Sequence, residues 1–263
     1  MSTTTTVPYR LDFSVEVPGT PEQVWQAVAT AQGLSAWFLP TELEEHEGGS
    51  LHFSMGPGMG SDGRVTGWDP PRRLAYEEDW AALMGKDPEA LSPLTSEFLV
   101  EARSGGTCVV RVTSSGFGTG ADWESEWWAE MGPGWMSFSD NLRLYLTHFP
   151  GQAATHLEAT VTRSADAKEL WSAMSEALGL GEVGAAVEVC GATGTVERAG
   201  EDQAMVRLTA PVPGMLSVFV FDQGEGTAMA GVRAYLFSPD AAAFVQREEP
   251  AWRTWLQELP VGG

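Results

Sequence analysis

LDFSVEVPGTPEQVWQAVATAQGL (residues 11–34) can be laid over LEATVTRSADAKELWSAMSEALGL (residues 157–180) without a gap. Leu11/Leu157, Val15/Val161, Trp25/Trp171, Ala27/Ala173, Ala31/Ala177, Gly33/Gly179 and Leu34/Leu180 coincide at a constant offset of 146. Self-similarity at a fixed separation marks a repeated structural unit and has to be recognised before any local reading. Beyond it the loops differ in length. GRVTGWDPPRRLAYE (residues 63–77) nevertheless keeps the apolar spacing of GTVERAGEDQAMVRL (residues 194–208), and PGWMSFSDNL (residues 133–142) faces PAWRTWLQEL (residues 250–259). The 263 residues therefore read as two unequal copies of one fold, residues 1–150 and 155–263, separated by Pro150, Gly151, Gln152, Ala153 and Ala154.

Each copy opens on an alternating strand, with Leu11, Phe13, Val15 and Val17 on one side in the first. A helix follows, announced by Thr20-Pro21-Glu22-Gln23. Thr20 is placed to cap, Gln23 to reach back, and Pro21 to occupy the first helical position, where its missing N–H costs nothing. Gly33 is expected to end that helix. Short apolar runs at residues 50–55, 64–68, 73–78, 95–103 and 107–114, joined by short turns, read as an antiparallel meander. Trp135, Phe138, Leu142, Tyr145, Leu146 and Phe149 then recur at spacings of three and four, the stripe of an amphipathic closing helix. In the second half the closing helix is expected to be short, starting at Pro250 and ending by Pro260. The most economical assembly is α+β: two domains, each an antiparallel sheet curled around a long C-terminal helix.

Composition narrows the function. With 43% hydrophobic and 10% aromatic residues the chain can build real cores. Its 36 acidic and 15 basic side chains give a net charge of −21. The acidity is shared, 21 acidic against 8 basic in residues 1–150 and 15 against 7 in residues 151–263. Such a surface repels phosphate backbones and anionic headgroups, so neither nucleic acid nor membrane is an expected partner. MSTTTTVPYR has no apolar signal core, and no run approaches the roughly 20 apolar residues that span a bilayer. The reading is a soluble cytoplasmic protein. Cys108 and Cys190 sit in apolar β-like stretches, and His46, His52, His148 and His156 form no metal-ligand spacing, so neither a metal nor a cofactor is expected. Nucleotide-binding and hydrolase fingerprints are absent too.

The ordered series PGTPEQVW, GLSAWF, EEHEGGSLHFSM, GRVTGWDPPRRLAYEEDW, TSEFLVEARSGGTCVVRV and GPGWMSFSDNLRLYL, spread over about residues 8–149, resembles the activator-of-Hsp90-ATPase-like branch of the START/Bet v 1-like (SRPBCC) superfamily. The second half resembles the same superfamily as a degenerate copy: its first helix and its Trp252/Trp255 helix persist, while the GG-x-x-x-F element and the W-x-P-P-x-x-L hairpin do not. The resemblance implies the helix-grip fold in both halves, with a cavity between sheet and closing helix. The superfamily uses that cavity or its rim for carriers, aromatase/cyclases and co-chaperone domains, so the fold does not choose among them.

The choice rests on residues. Eight of eleven tryptophans fall in the first half. Met55-Gly56-Pro57-Gly58-Met59-Gly60-Ser61 reads as a soft apolar loop, and Trp80-Ala81-Ala82-Leu83-Met84-Gly85 as an apolar connection. Both are absent from the second half. They are expected either to form a lid over a hydrophobic pocket or to pack on the neighbouring domain. The pocket would be lined by Trp37, Phe53, Met55, Met59, Trp80, Met84, Trp127, Trp135 and Tyr145. Asp122-Trp123-Glu124-Ser125-Glu126-Trp127-Trp128, placed just before the closing helix, is expected under that lid or in an intramolecular domain–domain contact. Strand parity turns Glu97 and Glu101 to solvent and leaves no catalytic constellation. The leading reading is a binding module for a small apolar or aromatic molecule, with no defined catalysis. The alternatives are a protein-interaction module acting on an Hsp90-type ATPase and a polyketide aromatase/cyclase-like enzyme.

Overall fold

The computed structural model describes residues 7–56, 58–79, 85 and 92–260. The chain divides into two compact units between Ala153 and Ala154.

The first unit runs β1 (Val7–Pro18), α1 (Pro21–Ala29), α2 (Ala31–Ser35), β2 (Thr41–Leu43), β3 (Ser50–Gly56), β4 (Met59–Asp69), β5 (Arg73–Glu78), β6 (Leu94–Ala102), β7 (Thr107–Gly118) and α3 (Asp122–His148). Its seven strands form one antiparallel sheet in the order β1-β7-β6-β5-β4-β3-β2. The alternation of β1 survives in three dimensions: Tyr9, Leu11, Phe13, Val15 and Val17 are all more buried than the residues between them. The α1 start is a full capping box, Thr20 N donating to Gln23 Oε1 at 2.9 Å while Gln23 N donates to Thr20 Oγ1 at 3.4 Å. Val24, Trp25, Ala27 and Val28 then face inward. The long helix α3 lies against β1, burying Trp128, Trp135, Leu142 and Tyr145.

The second unit repeats the plan with β8 (Thr155–Arg163), α4 (Ala167–Leu178), β9 (Ala186–Val189), β10 (Ala192–Ala199), β11 (Gln203–Ala210), β12 (Gly214–Gly224), β13 (Thr227–Leu236) and α5 (Ala241–Gln257). The sheet order, β8-β13-β12-β11-β10-β9, is that of the first unit without its β2 strand. Both units are thus α+β helix-grip domains, the second a reduced copy. Among the described residues no helix is long and apolar enough to cross a membrane.

Four local expectations are corrected. The glycine-rich stretch from Met55 is not a loop but the tip of a hairpin, with Gly56 opposite Met59 and Phe53 opposite Ser61. Pairing to β3 satisfies backbone groups that a free loop would leave to water. The block from Asp122 to Trp128 is the first two turns of α3 itself, and the helix continues through Gly132, Pro133 and Gly134. Helix α5 begins nine residues before Pro250 and carries that proline inside. Its Ala241, Phe244, Trp252 and Leu256 share a buried face, and that packing outweighs the local cost of a missing N–H. Finally, α1 ends at Thr30, whose hydroxyl donates to Gln26 O at 2.7 Å and accepts from Gly33 N at 2.9 Å. Gly33 sits inside α2, where a Cβ would lie 1.9 Å from the Gln26 carbonyl oxygen.

Candidate functional site

In the first unit the sheet face turned toward α3 has two ends of different chemistry. One is packed with rings. Phe38 stacks on Trp135 at 5.1 Å and meets Phe53 at 5.3 Å and Phe138 at 4.4 Å edge-on. Phe98 meets Trp135 at 5.7 Å, Phe13 meets it at 5.5 Å, and Tyr76 lies 5.6 Å from Phe53. Trp37 is buried beside Phe38 and donates its indole N–H to Ala27 O at 2.9 Å. These rings occupy the space between helix and sheet at this end.

The other end is polar. Parity on β5 turns Leu74, Tyr76 and Glu78 inward, and the cross-strand partners of Glu78 are Gly63 on β4 and Leu94 on β6. Ser61, buried on β4, donates its hydroxyl to Glu78 Oε1 in a short hydrogen bond. Tyr76 is hydrogen-bonded to Ser96, and Ser96 Oγ lies 3.1 Å from Ser114 Oγ. Three buried serines, a tyrosine and a glutamate thus cross four neighbouring strands on a face where apolar side chains would pack at lower cost. Burial pushes the Glu78 carboxyl up to about 7, against the opposing Ser61 hydrogen bond. Burial likewise raises the Tyr76 phenol well above its ordinary value, and nearby Glu78 adds to the rise.

Trp128 and Leu94 close over this end as a small apolar cluster with Tyr9, Leu11, Trp123, Trp127 and Met131 around it. Trp128 stacks on Tyr9 at 5.4 Å with planes 7° apart, and meets Trp127 edge-on. The helix start is held by Glu124, which is fully buried. It accepts from Thr119 N at 2.9 Å, the Thr119 hydroxyl at 2.7 Å, Gly120 N at 2.8 Å and the Tyr9 hydroxyl at 3.3 Å. Burial alone would raise its carboxyl, but these four donors outweigh that and hold it below the usual carboxylate range. A cleft of about 330 Å³ opens onto Glu78; among the described residues it is lined by Asp62, Gly63, Arg64, Glu77, Asp79, Ser92 and Pro93 as well.

The residues expected to line a cavity are distributed over both ends. Trp37, Phe53 and Trp135 are buried in the ring cluster. Trp127 stands beside Trp128, and Met55 is partly buried near the hairpin tip. Met59 is exposed at that tip. Tyr145 is buried near the end of α3, its hydroxyl donating to Gln152 O at 3.2 Å and accepting from Gly151 N at 3.1 Å. Trp80 and Met84 lie outside the described residues. Glu97 and Glu101 turn outward and pair with Arg73 at 2.5 Å and Arg111 at 2.9 Å. The residues overlooked were Glu78, Ser61, Tyr76, Ser96 and Ser114. The signal for Glu78 was present, since an inward Leu74 and Tyr76 require an inward Glu78. Ser61 follows a glycine-rich stretch whose composition points to a loop, so its strand position is not legible locally. Among the described residues no group of three or more histidine, cysteine, aspartate or glutamate side chains is arranged to hold a metal ion.

The family described as Activator of Hsp90 ATPase homolog 1-like protein matches residues 18–147. No curated protein matches the chain. Among solved structures, protein MLL2253 from Mesorhizobium loti is 20% identical with a TM-score of 0.46, over 53% of this chain and 98% of that one. The Aha1 dimer from Colwellia psychrerythraea is 22% identical with a TM-score of 0.42, over 52% of this chain and 95% of that one. The di-domain ARO/CYC BexL of the BE-7585A biosynthetic pathway is 14% identical with a TM-score of 0.44, over 95% of this chain and 93% of that one.

Proposed function

Residues 18–147 belong to the Activator of Hsp90 ATPase homolog 1-like family, and from that premise we propose that the N-terminal unit binds a small, largely apolar molecule at the Glu78 end of its inner sheet face. The observation that carries this reading is the polar row of Ser61, Glu78, Tyr76, Ser96 and Ser114, set in an otherwise apolar wall and reached by a cleft. A few convergent polar groups in an apolar recess are the usual make-up of a small-molecule site, and about 330 Å³ is at the lower end of their usual size. The ligand's apolar body would lie against Leu94 and Trp128, its polar group against Glu78.

Trp128 supplies the readout. A panel of apolar and aromatic compounds is titrated into the full chain while tryptophan emission and the melting temperature are followed. At least one compound is expected to shift both in a saturable way, because binding to the folded form alone raises its stability. Absence of any change in emission and melting across the panel would overturn the reading.

A further inference from the structure

We propose that the ligand of this site is an apolar or aromatic amine, whose cationic nitrogen seats on the carboxylate of Glu78. The inference rests on the small-molecule reading above and deepens it to a ligand class.

Its support is the isolation of Glu78. The carboxylate faces into the sheet between Gly63 and Leu94, and its hydrogen bond is a hydroxyl donated to Oε1 by Ser61. Among the described residues no lysine or arginine forms an ion pair with it. Arg64, the cationic residue among those described around the cleft, reaches toward Gly48, its Nη2 lying 3.4 Å from where a Cβ on that glycine would stand. The other charged groups around the cleft among the described residues, Asp62, Glu77 and Asp79, are acidic. A half-buried carboxylate with no cationic partner among the described residues is costly, and a cation entering with the ligand removes that cost. A neutral alcohol of the same shape cannot. Glycine at position 63 is required by the close approach of β5, since a Cβ there would lie 2.4 Å from Glu77 O and 3.3 Å from Glu78 Cγ. Leu94, the cross-strand neighbour of Glu78, and Trp128 packed on it give this end its apolar side.

The test compares phenethylamine with phenethyl alcohol on the full chain by calorimetry, in about 0.5 M sodium chloride, where the screening length falls to a few ångströms and attraction to the general negative surface is suppressed. The amine is expected to bind at least about tenfold tighter. At neutral pH its binding should release a proton, read from the difference between two buffers of unequal ionisation enthalpy, while the alcohol releases none. Glu78→Gln, close in shape and still able to accept from Ser61, should abolish the proton release and bring the amine's affinity down to that of the alcohol. Should that variant fail to fold, Ser61→Ala, which leaves net charge untouched, should narrow the amine's advantage over the alcohol several-fold. Equal binding of the two compounds, or a preference that persists in Glu78→Gln, overturns the amine assignment while leaving the small-molecule site standing. Binding of neither compound overturns the assignment; if the wider panel is also silent, the small-molecule reading falls with it.

Discussion

The two units are built to one plan and differ in what they hide. In the first, the buried polar residues are Thr30, Ser61, Ser96, Ser114, Glu124 and Asn141; all six precede Ala154, and the described second unit contributes none. The strand that takes the place of β5 is β11, whose inward side chains are Ala204, Val206 and Leu208 where the first unit has Leu74, Tyr76 and Glu78. On β12 and β13 the inward row is Leu216, Val218 and Val220 beside Ala230, Val232 and Ala234, against Ser96 and Ser114. The second unit therefore shows what this fold needs in order to be stable: a closed apolar core. Some of what the first unit buries beyond that holds helix ends, as Thr30 and Glu124 do, whereas Ser61, Ser96 and Ser114 stand at strand positions where the second unit has apolar side chains.

That comparison can be broken in descending order of effect. Trp252→Ala removes a ring that is 1% exposed in the second core, and should cost about 4 kcal/mol. In urea unfolding followed by far-UV circular dichroism the loss should appear in the second unit's transition. A loss below about 1 kcal/mol would mean that this core is not the unit's support.

Glu78→Leu should act in the opposite direction. The folded carboxyl titrates near 7 against an ordinary 4.5, so the folded state holds the proton more tightly than the unfolded chain. The wild-type stability associated with Glu78 is fully present below about pH 4.5 and is lost as pH rises to about 7. Replacing the carboxyl with an apolar side chain should remove this slope and raise stability above neutrality by up to about 3 kcal/mol. Melting temperatures measured across this range check it; a variant with an unchanged slope would show that Glu78 is solvated.

Glu124→Ala leaves Thr119 N, the Thr119 hydroxyl and Gly120 N without their acceptor and should cost about 2 kcal/mol. It should also redshift tryptophan emission as Trp123 and Trp128 loosen, an effect with no counterpart in the second unit. The smallest test is paired. Thr20→Ala in α1 and Asp166→Ala in α4 remove N-caps of different chemistry at matching positions, and each should cost about 1 kcal/mol by thermal unfolding.

How much of this was legible in sequence depends on the range of the interactions concerned. The capping box at Thr20 and Gln23 is local and legible in the sequence, as is the outward turn of Glu97 and Glu101. The same parity argument would have found Glu78 had it been applied to β5. Gly33 and Gly179 show the limit: they align at the repeat, yet Gly179 caps α4 in the left-handed region at φ +62°, whereas Gly33 is required by the approach of the Gln26 backbone. Pro250 was misplaced for a related reason. Local propensity marks a proline as a helix start, and only the buried face from Ala241 to Leu256 shows that the helix has already run nine residues.

The sequence by itself determined that the chain is a tandem of two helix-grip units, because a repeat and the two periodicities are properties of order along the chain. Which polar groups meet was decided only by the tertiary structure. Ser61 and Glu78 lie 17 positions apart and Ser96 and Ser114 lie 18 apart. Their meeting depends on the strand register, and a shift of one residue would turn every one of them to the opposite face of the sheet.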